Sequence, residues 1–133
     1  MVGLVPAHAG ILRAIATDPG ISQQSLATVL GMLPSRLVSY IDELEERGVL
    51  ERRDNPQDRR LYALRLTDKG QRTMAEIGRI SRAHDDALCA ALGEREREQL
   101  GLLLRRIADD HGLTPGVHPG FARIGASKQR PSR

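Results

Sequence analysis

The sequence predicts a mainly α-helical fold with one small antiparallel β-hairpin, and three observations carry that expectation. Aromatic residues make up 2% of the chain, only Tyr40, Tyr62 and Phe121, and Trp is absent, so a core must be built from Leu, Ile, Val, Ala and Met. That composition suits helices better than a sandwich of sheets. Apolar residues recur at helical spacing in five segments that carry their own start and stop signals, whereas strict alternation occurs in one adjacent pair of short runs.

The first helix lies in "PAHAGILRAIATDPG", where Ile11, Leu12 and Ile15 share a face and Asp18-Pro19-Gly20 breaks the pattern. In "ISQQSLATVLG", Ser22 is an N-cap, Leu26, Val29 and Leu30 form the apolar face, and Gly31 is the stop. "PSRLVSYIDELEERG" restarts with Pro34 in its first turn, buries Leu37, Ile41 and Leu44, and ends at Gly48. Two short helices meeting through a tight Gly-containing turn make a helix-turn-helix, with Ala27 small enough for close packing at the crossing. "VLERR" and "LYALRL" then alternate as paired strands do, and "DNPQDR" between them supplies the turn through Asn55, Pro56 and Asp58. A hairpin directly after a helix-turn-helix is a winged helix.

Thr67 caps a long helix expected to run to Leu92, with Met74, Ile77, Ser81, His84, Leu88 and Ala91 in a seven-residue repeat. After Gly93, Leu100, Leu103, Leu104 and Ile107 form a second stripe. Both stripes lie outside the winged unit and need cover, which a second copy of the chain supplies most economically. The expected dimer interface is therefore Leu88, Leu100, Leu103, Leu104 and Ile107. The chain divides into a winged helix-turn-helix domain over residues 1–66, a helical dimerisation region over 67–112, and a basic, Gly/Pro-rich, flexible tail over 113–133.

The net charge is +3 and the pI near 9.6, but the tail holds four of the 20 basic residues and no acid, which leaves 16 basic against 17 acidic residues before it. The body is not a general polycation, so any basic function comes from local clusters. The densest is Arg47, Arg52, Arg53, Arg59, Arg60 and Arg65, around the hairpin. A lone Cys89 excludes an internal disulfide framework and fits a reducing compartment, and its place among alanines and leucines of the long helix reads as a buried structural thiol. No secretory signal or bilayer-length apolar run is seen, and the expected location is the cytoplasm. His8, His84, His111 and His118 make no ligand motif, and neither a nucleophile pairing, a P-loop nor a dinucleotide fingerprint is visible. The expectation is a protein that is not an enzyme and carries no cofactor or metal.

The run from about Pro6 to His111 resembles the MarR family of winged-helix transcription regulators. "DRRLYALRLT" matches that family's Asp-x-Arg, five residues, Leu-Thr pattern at Asp58, Arg60, Leu66 and Thr67. "SLATVLGMLPSRLVSYIDELEERGVLERR" precedes it at the family's spacing, and "LGEREREQLGLLLRRI" is similar to the family's final helix. Members usually begin with an additional helix that contributes to the dimer interface and effector pocket, and the resemblance here opens after it. The resemblance implies a homodimeric regulator on a near-palindromic double-stranded DNA operator, a repressor relieved by a small-molecule effector.

The residues support this reading by themselves. The third helix carries Ser35, Arg36, Val38 and Ser39 near its N-terminus, while Asp42, Glu43, Glu45 and Glu46 crowd its second half. Carboxylates approach phosphates at a cost, so only the first half suits a major groove, with Arg36 for guanine edges. Arg59 and Arg60 at the hairpin tip suit a narrow minor groove, and Asp58 is expected to orient one of them. Arg52 and Arg53 are assigned to phosphates. Alternative readings are a winged helix that only binds proteins and a redox-sensing regulator that works through Cys89.

Overall fold

The computed structural model describes residues 3–58 and 61–121. Five helices and one hairpin follow in order: α1 (Pro6–Thr17), α2 (Gln23–Leu30), α3 (Pro34–Glu46), β1 (Leu50–Asp54), β2 (Tyr62–Leu66), α4 (Asp68–Leu88) and α5 (Glu94–Asp110). The mainly helical fold with one antiparallel hairpin is as the sequence predicts.

The local signals act as their chemistry requires. The Ser22 side chain accepts the Ser25 N–H at 3.1 Å, Thr67 accepts the Gly70 N–H at 3.1 Å, and Gly31 closes α2 in the left-handed conformation at φ 61°. Ile11, Leu12, Ile15, Leu26, Leu37, Ile41 and Leu44 are fully buried where α1, α2 and α3 meet. Ala27 is buried at the crossing, whereas Val29, expected on the apolar face, is exposed.

The hairpin pairs Leu50 with Leu66, Arg52 with Leu64 and Asp54 with Tyr62. Its other edge is also used: Gly20 N–H donates to the Leu64 carbonyl at 2.8 Å, and Leu64 N–H donates to the Ile21 carbonyl at 3.0 Å. Backbone pairing thus ties the wing to the segment between α1 and α2, and Leu64 and Leu50 enter the core.

Three features differ from the sequence expectation. The helix expected to continue to Leu92 ends at Leu88, with Cys89 as a half-buried C-cap followed by a turn, so the thiol is not within the helix and not fully buried. The boundary at residue 67 cuts through a packed unit: Gly70 and Ile77 are buried and Met74 lies against the core, because the start of α4 packs on α1 and β2. The heptad stripe therefore serves two purposes, with Ile77 facing the winged unit and Leu88 facing solvent. The first part of the expected flexible tail is also packed. Phe121 is buried against α1, where a Cβ on Gly10 would lie 2.7 Å from its ring, and apolar burial outweighs the Gly/Pro-rich composition there. The remainder of the tail, 122–133, lies outside the described residues. Among the described residues no helix is long and apolar enough to cross a membrane.

Gly70 shows how close the docking of α4 is, since a Cβ there would lie 1.9 Å from the Val49 carbonyl oxygen. Gly70→Ala is expected to lower stability by more than about 2 kcal/mol, because either α4 or the α3–β1 connection must move. Thermal unfolding of the two proteins measures this, and an unchanged midpoint would mean that α4 does not pack on the winged unit.

Candidate nucleic-acid interface

Helix α3 begins at Pro34, whose fixed φ suits a first turn, and its apolar row Leu37, Ile41, Leu44 faces inward. The opposite face of its first half therefore points to solvent: Ser35, Arg36 and Ser39 are exposed, and Val38 is half-buried. The Ser39 hydroxyl donates to the Ser35 carbonyl at 3.4 Å, a long bond. The Arg36 guanidinium lies over the Tyr40 ring, its Cζ 5.5 Å from the centroid.

The second half of α3 is acidic in sequence but is largely paired in space. Arg52 donates one guanidinium nitrogen to Asp42 and another to Glu45, and its backbone N–H also donates to Glu45 at 3.4 Å. Partial burial opposes the charge on Arg52, yet its hydrogen bonds and attraction to Asp42 and Glu45 outweigh that and raise its pKa above the ordinary arginine value. Arg52, expected at phosphates, is thus engaged within the chain by Asp42 and Glu45. Side chains alternate along a strand, so Arg52 shares a face with buried Leu50 and meets α3. Arg53 points the other way, is exposed, and pairs with Glu51 at 2.5 Å.

Glu43 is held from another direction. His8, at the start of α1 and 1% exposed, is 2.9 Å from Glu43 through Nε2, and its Nδ1 accepts the Val5 N–H at 3.2 Å. The second bond fixes the tautomer, so Nε2–H donates to the carboxylate. The same ring stands edge-on to Tyr40 at 89°, with centroids 5.3 Å apart. No local sequence signal links His8 to Glu43, which is 35 positions away.

At the wing, Asn55 Oδ1 accepts the Gln57 N–H at 2.9 Å, the local turn that the sequence suggests. Asp58 is half-buried and engaged, and its carbonyl accepts the Leu61 N–H at 3.0 Å. Arg59 and Arg60, the expected minor-groove residues, lie outside the described residues.

Two further surfaces matter. A cavity of about 410 Å³ opens between Leu4, the α3–β1 turn at Arg47 and Val49, and Lys69, Arg72, Thr73 and Glu76 of α4. Lys69 donates to the Arg47 carbonyl at 2.7 Å, and Glu76 is paired with Arg79, which holds its carboxyl below the usual range. Helix α5 buries no residue: Leu103 is 47%, Leu104 56% and Ile107 58% exposed, and Leu88 at the end of α4 is 74% exposed. Leu100 is exposed beside them.

Residues 2–61 match the MarR family. The putative transcriptional regulatory protein for the hcr operon of Thauera aromatica is 35% identical over 113 residues, which cover 85% of this chain and 68% of that protein. The transcriptional repressor CouR, solved on a 23-mer DNA duplex, is 39% identical and superposes with a TM-score of 0.70 over 80% of this chain and 76% of its own. The PcaV transcriptional regulator from Streptomyces coelicolor, solved with its natural ligand, is 29% identical with a TM-score of 0.64 over 80% and 75%.

The two arginines of β1 are expected to behave differently when removed. Arg52→Ala strands two carboxylates side by side and should lower stability by about 1–2 kcal/mol. Arg53→Ala should stay within about 0.5 kcal/mol of the unmodified protein. Chemical denaturation of both variants checks this, and equal losses would contradict the assignment of Arg52 to α3.

Proposed function

We propose that this chain, which belongs to the MarR family, reads operator DNA through α3 and the wing as a homodimer and acts as a repressor relieved by a small effector. It is a sequence-specific, double-stranded-DNA-binding transcriptional regulator. The observation that carries the assignment of the interface is the division of α3. Its first half presents Ser35, Arg36 and Ser39 without a carboxylate, while Asp42, Glu43 and Glu45 in the second half are drawn onto Arg52 and His8. The face offered to a groove is therefore less acidic than the sequence makes it look.

In this reading Arg36 reaches base edges, Ser35, Val38 and Ser39 contact bases or the backbone, and Arg53 meets phosphates on the strand leading to the wing's turn. Arg59 and Arg60 enter the adjacent minor groove, and Asp58 sets the direction of one of them. Arg52 supports the interface from behind. The exposed apolar row of Leu88, Leu100, Leu103, Leu104 and Ile107 is covered by a second copy, since a two-fold partner both buries it and presents a second reading head. The effector occupies the cavity beside Arg47, Lys69 and Arg72, where it touches both α4 and the connection leaving α3.

DNA binding is expected to weaken steeply as salt rises, because several arginines per protomer displace condensed counterions. Gel-shift titrations across a salt series on the duplex upstream of the chain's own gene test this, and an absence of binding to any duplex would overturn the assignment.

Leu103→Glu together with Leu104→Glu is expected to give a monomer, because both carboxylates would have to be buried in the apolar interface. The monomer should bind DNA poorly, since one half-site offers too few contacts. Light scattering and gel shift on the same samples decide it, and an unmodified protein that is monomeric at micromolar concentration would remove the assigned interface.

A further inference from the structure

Arginine carries about 2 kcal/mol of rotamer entropy, so an exposed arginine that reads a base benefits from being held in place before contact. Arg36 has no carboxylate partner among the described residues; it rests instead on the Tyr40 ring four positions along α3. Tyr40 is half-buried, and no hydrogen bond of its hydroxyl is found among the described residues, so what it offers is the flat ring. That ring stands perpendicular to the His8 imidazole, with centroids 5.3 Å apart. His8 cannot turn, because Val5 N–H holds Nδ1, Glu43 holds Nε2, and the ring is buried. The chain of contacts runs from the start of α1, through an imidazole locked on both sides, to a guanidinium on the solvent face of the reading helix.

We propose that Tyr40 and His8 are positioning residues that aim Arg36, so that base discrimination depends on two side chains behind the interface. The inference rests on the reading of α3 as the DNA-reading helix. Tyr40 supplies the platform for the guanidinium. His8 fixes the ring and, through Glu43, the rotation of α3 against α1. A platform of this kind changes selectivity more than affinity, because an unaimed Arg36 keeps its charge and still attracts any phosphate backbone. It also explains why α3 carries an aromatic residue although the rest of the core uses almost none.

The test begins with selection from a random-sequence duplex library by the unmodified full chain, which supplies the probe. The affinity of each variant is then measured on the selected duplex and on the unselected pool. Tyr40→Leu is expected to lower the ratio of the two affinities roughly three- to tenfold, the range of a cation–π contact, and to leave binding to the pool unchanged. Tyr40→Phe keeps the ring and should keep the ratio. Tyr40→Met, whose flexible side chain refills a half-buried position, replaces Tyr40→Leu if that variant does not fold. In an Arg36→Ala background, Tyr40→Leu should change nothing further, which a merely structural role would not produce. The proposal is overturned if Tyr40→Leu weakens both probes equally, if its effect persists without Arg36, or if Tyr40→Phe loses as much as Tyr40→Leu. If the unmodified protein enriches no sequence, the reading of α3 falls as well; if it does enrich one, those three results remove only the positioning role.

Discussion

Leu64 is the residue on which the placement of the wing against the helix-turn-helix depends. Its side chain is fully buried in the core, its backbone bonds to the segment before α2 on one edge, and its strand pairs with β1 on the other. A hairpin held only at its base would swing, because two strands alone are barely stable in water. Three tethers on one residue fix the wing against the helix-turn-helix. With the wing fixed, Arg52 comes to lie under α3 and Arg53 on the outer side, so the backbone pairing at Leu64 also sets the charge pattern of the surface.

That charge pattern resolves an apparent contradiction. A helix with four carboxylates in its second half is a poor partner for phosphates as a one-dimensional string. In three dimensions two of these groups share one guanidinium and a third accepts from a buried imidazole. The pairs hold β1 and α1 against α3, and they offset negative charge in its second half. The same residues thus support the fold and, in the proposed reading of α3, lower the repulsion of a nearby DNA backbone, while the first half presents Arg36 and two serines.

The protomer is two-part in its burial. The winged unit and the first three turns of α4 bury most of their large apolar residues, with Val5, Val29, Leu33 and Tyr62 left exposed, and Phe121 returns to seal α1 at Gly10. The end of α4 and all of α5 leave theirs in solvent, where leucines on one helix gain nothing until a second surface covers them. An element that is apolar on one stripe and uncovered within its own chain suits the two-fold assembly proposed above, in which it sets the separation of the two α3 helices.

The sequence by itself determined most features governed by neighbours within a few residues, although it placed Val29 on the buried face and carried α4 past Leu88. Ser22, Thr67 and Gly31 cap helices because caps need only the next three or four backbone groups, and Leu37, Ile41 and Leu44 point inward because a helix repeats every 3.6 residues. The strand alternation that exposes Arg53 also assigns Arg52 to the face of Leu50, so its inward position was legible from parity alone. The partners were not. His8 and Glu43 are 35 positions apart, and Arg52 and Asp42 ten, and nothing local announces that α1 and β1 flank α3 at the heights that bring these groups together. The same holds for Phe121, whose Gly/Pro-rich surroundings read as a tail until α1 offers a glycine in place of a side chain. Caps and periodicities are properties of a short stretch of backbone, whereas a salt bridge, a locked imidazole or a ring filling a gap belongs to two elements at once, and only their packing decides that they meet.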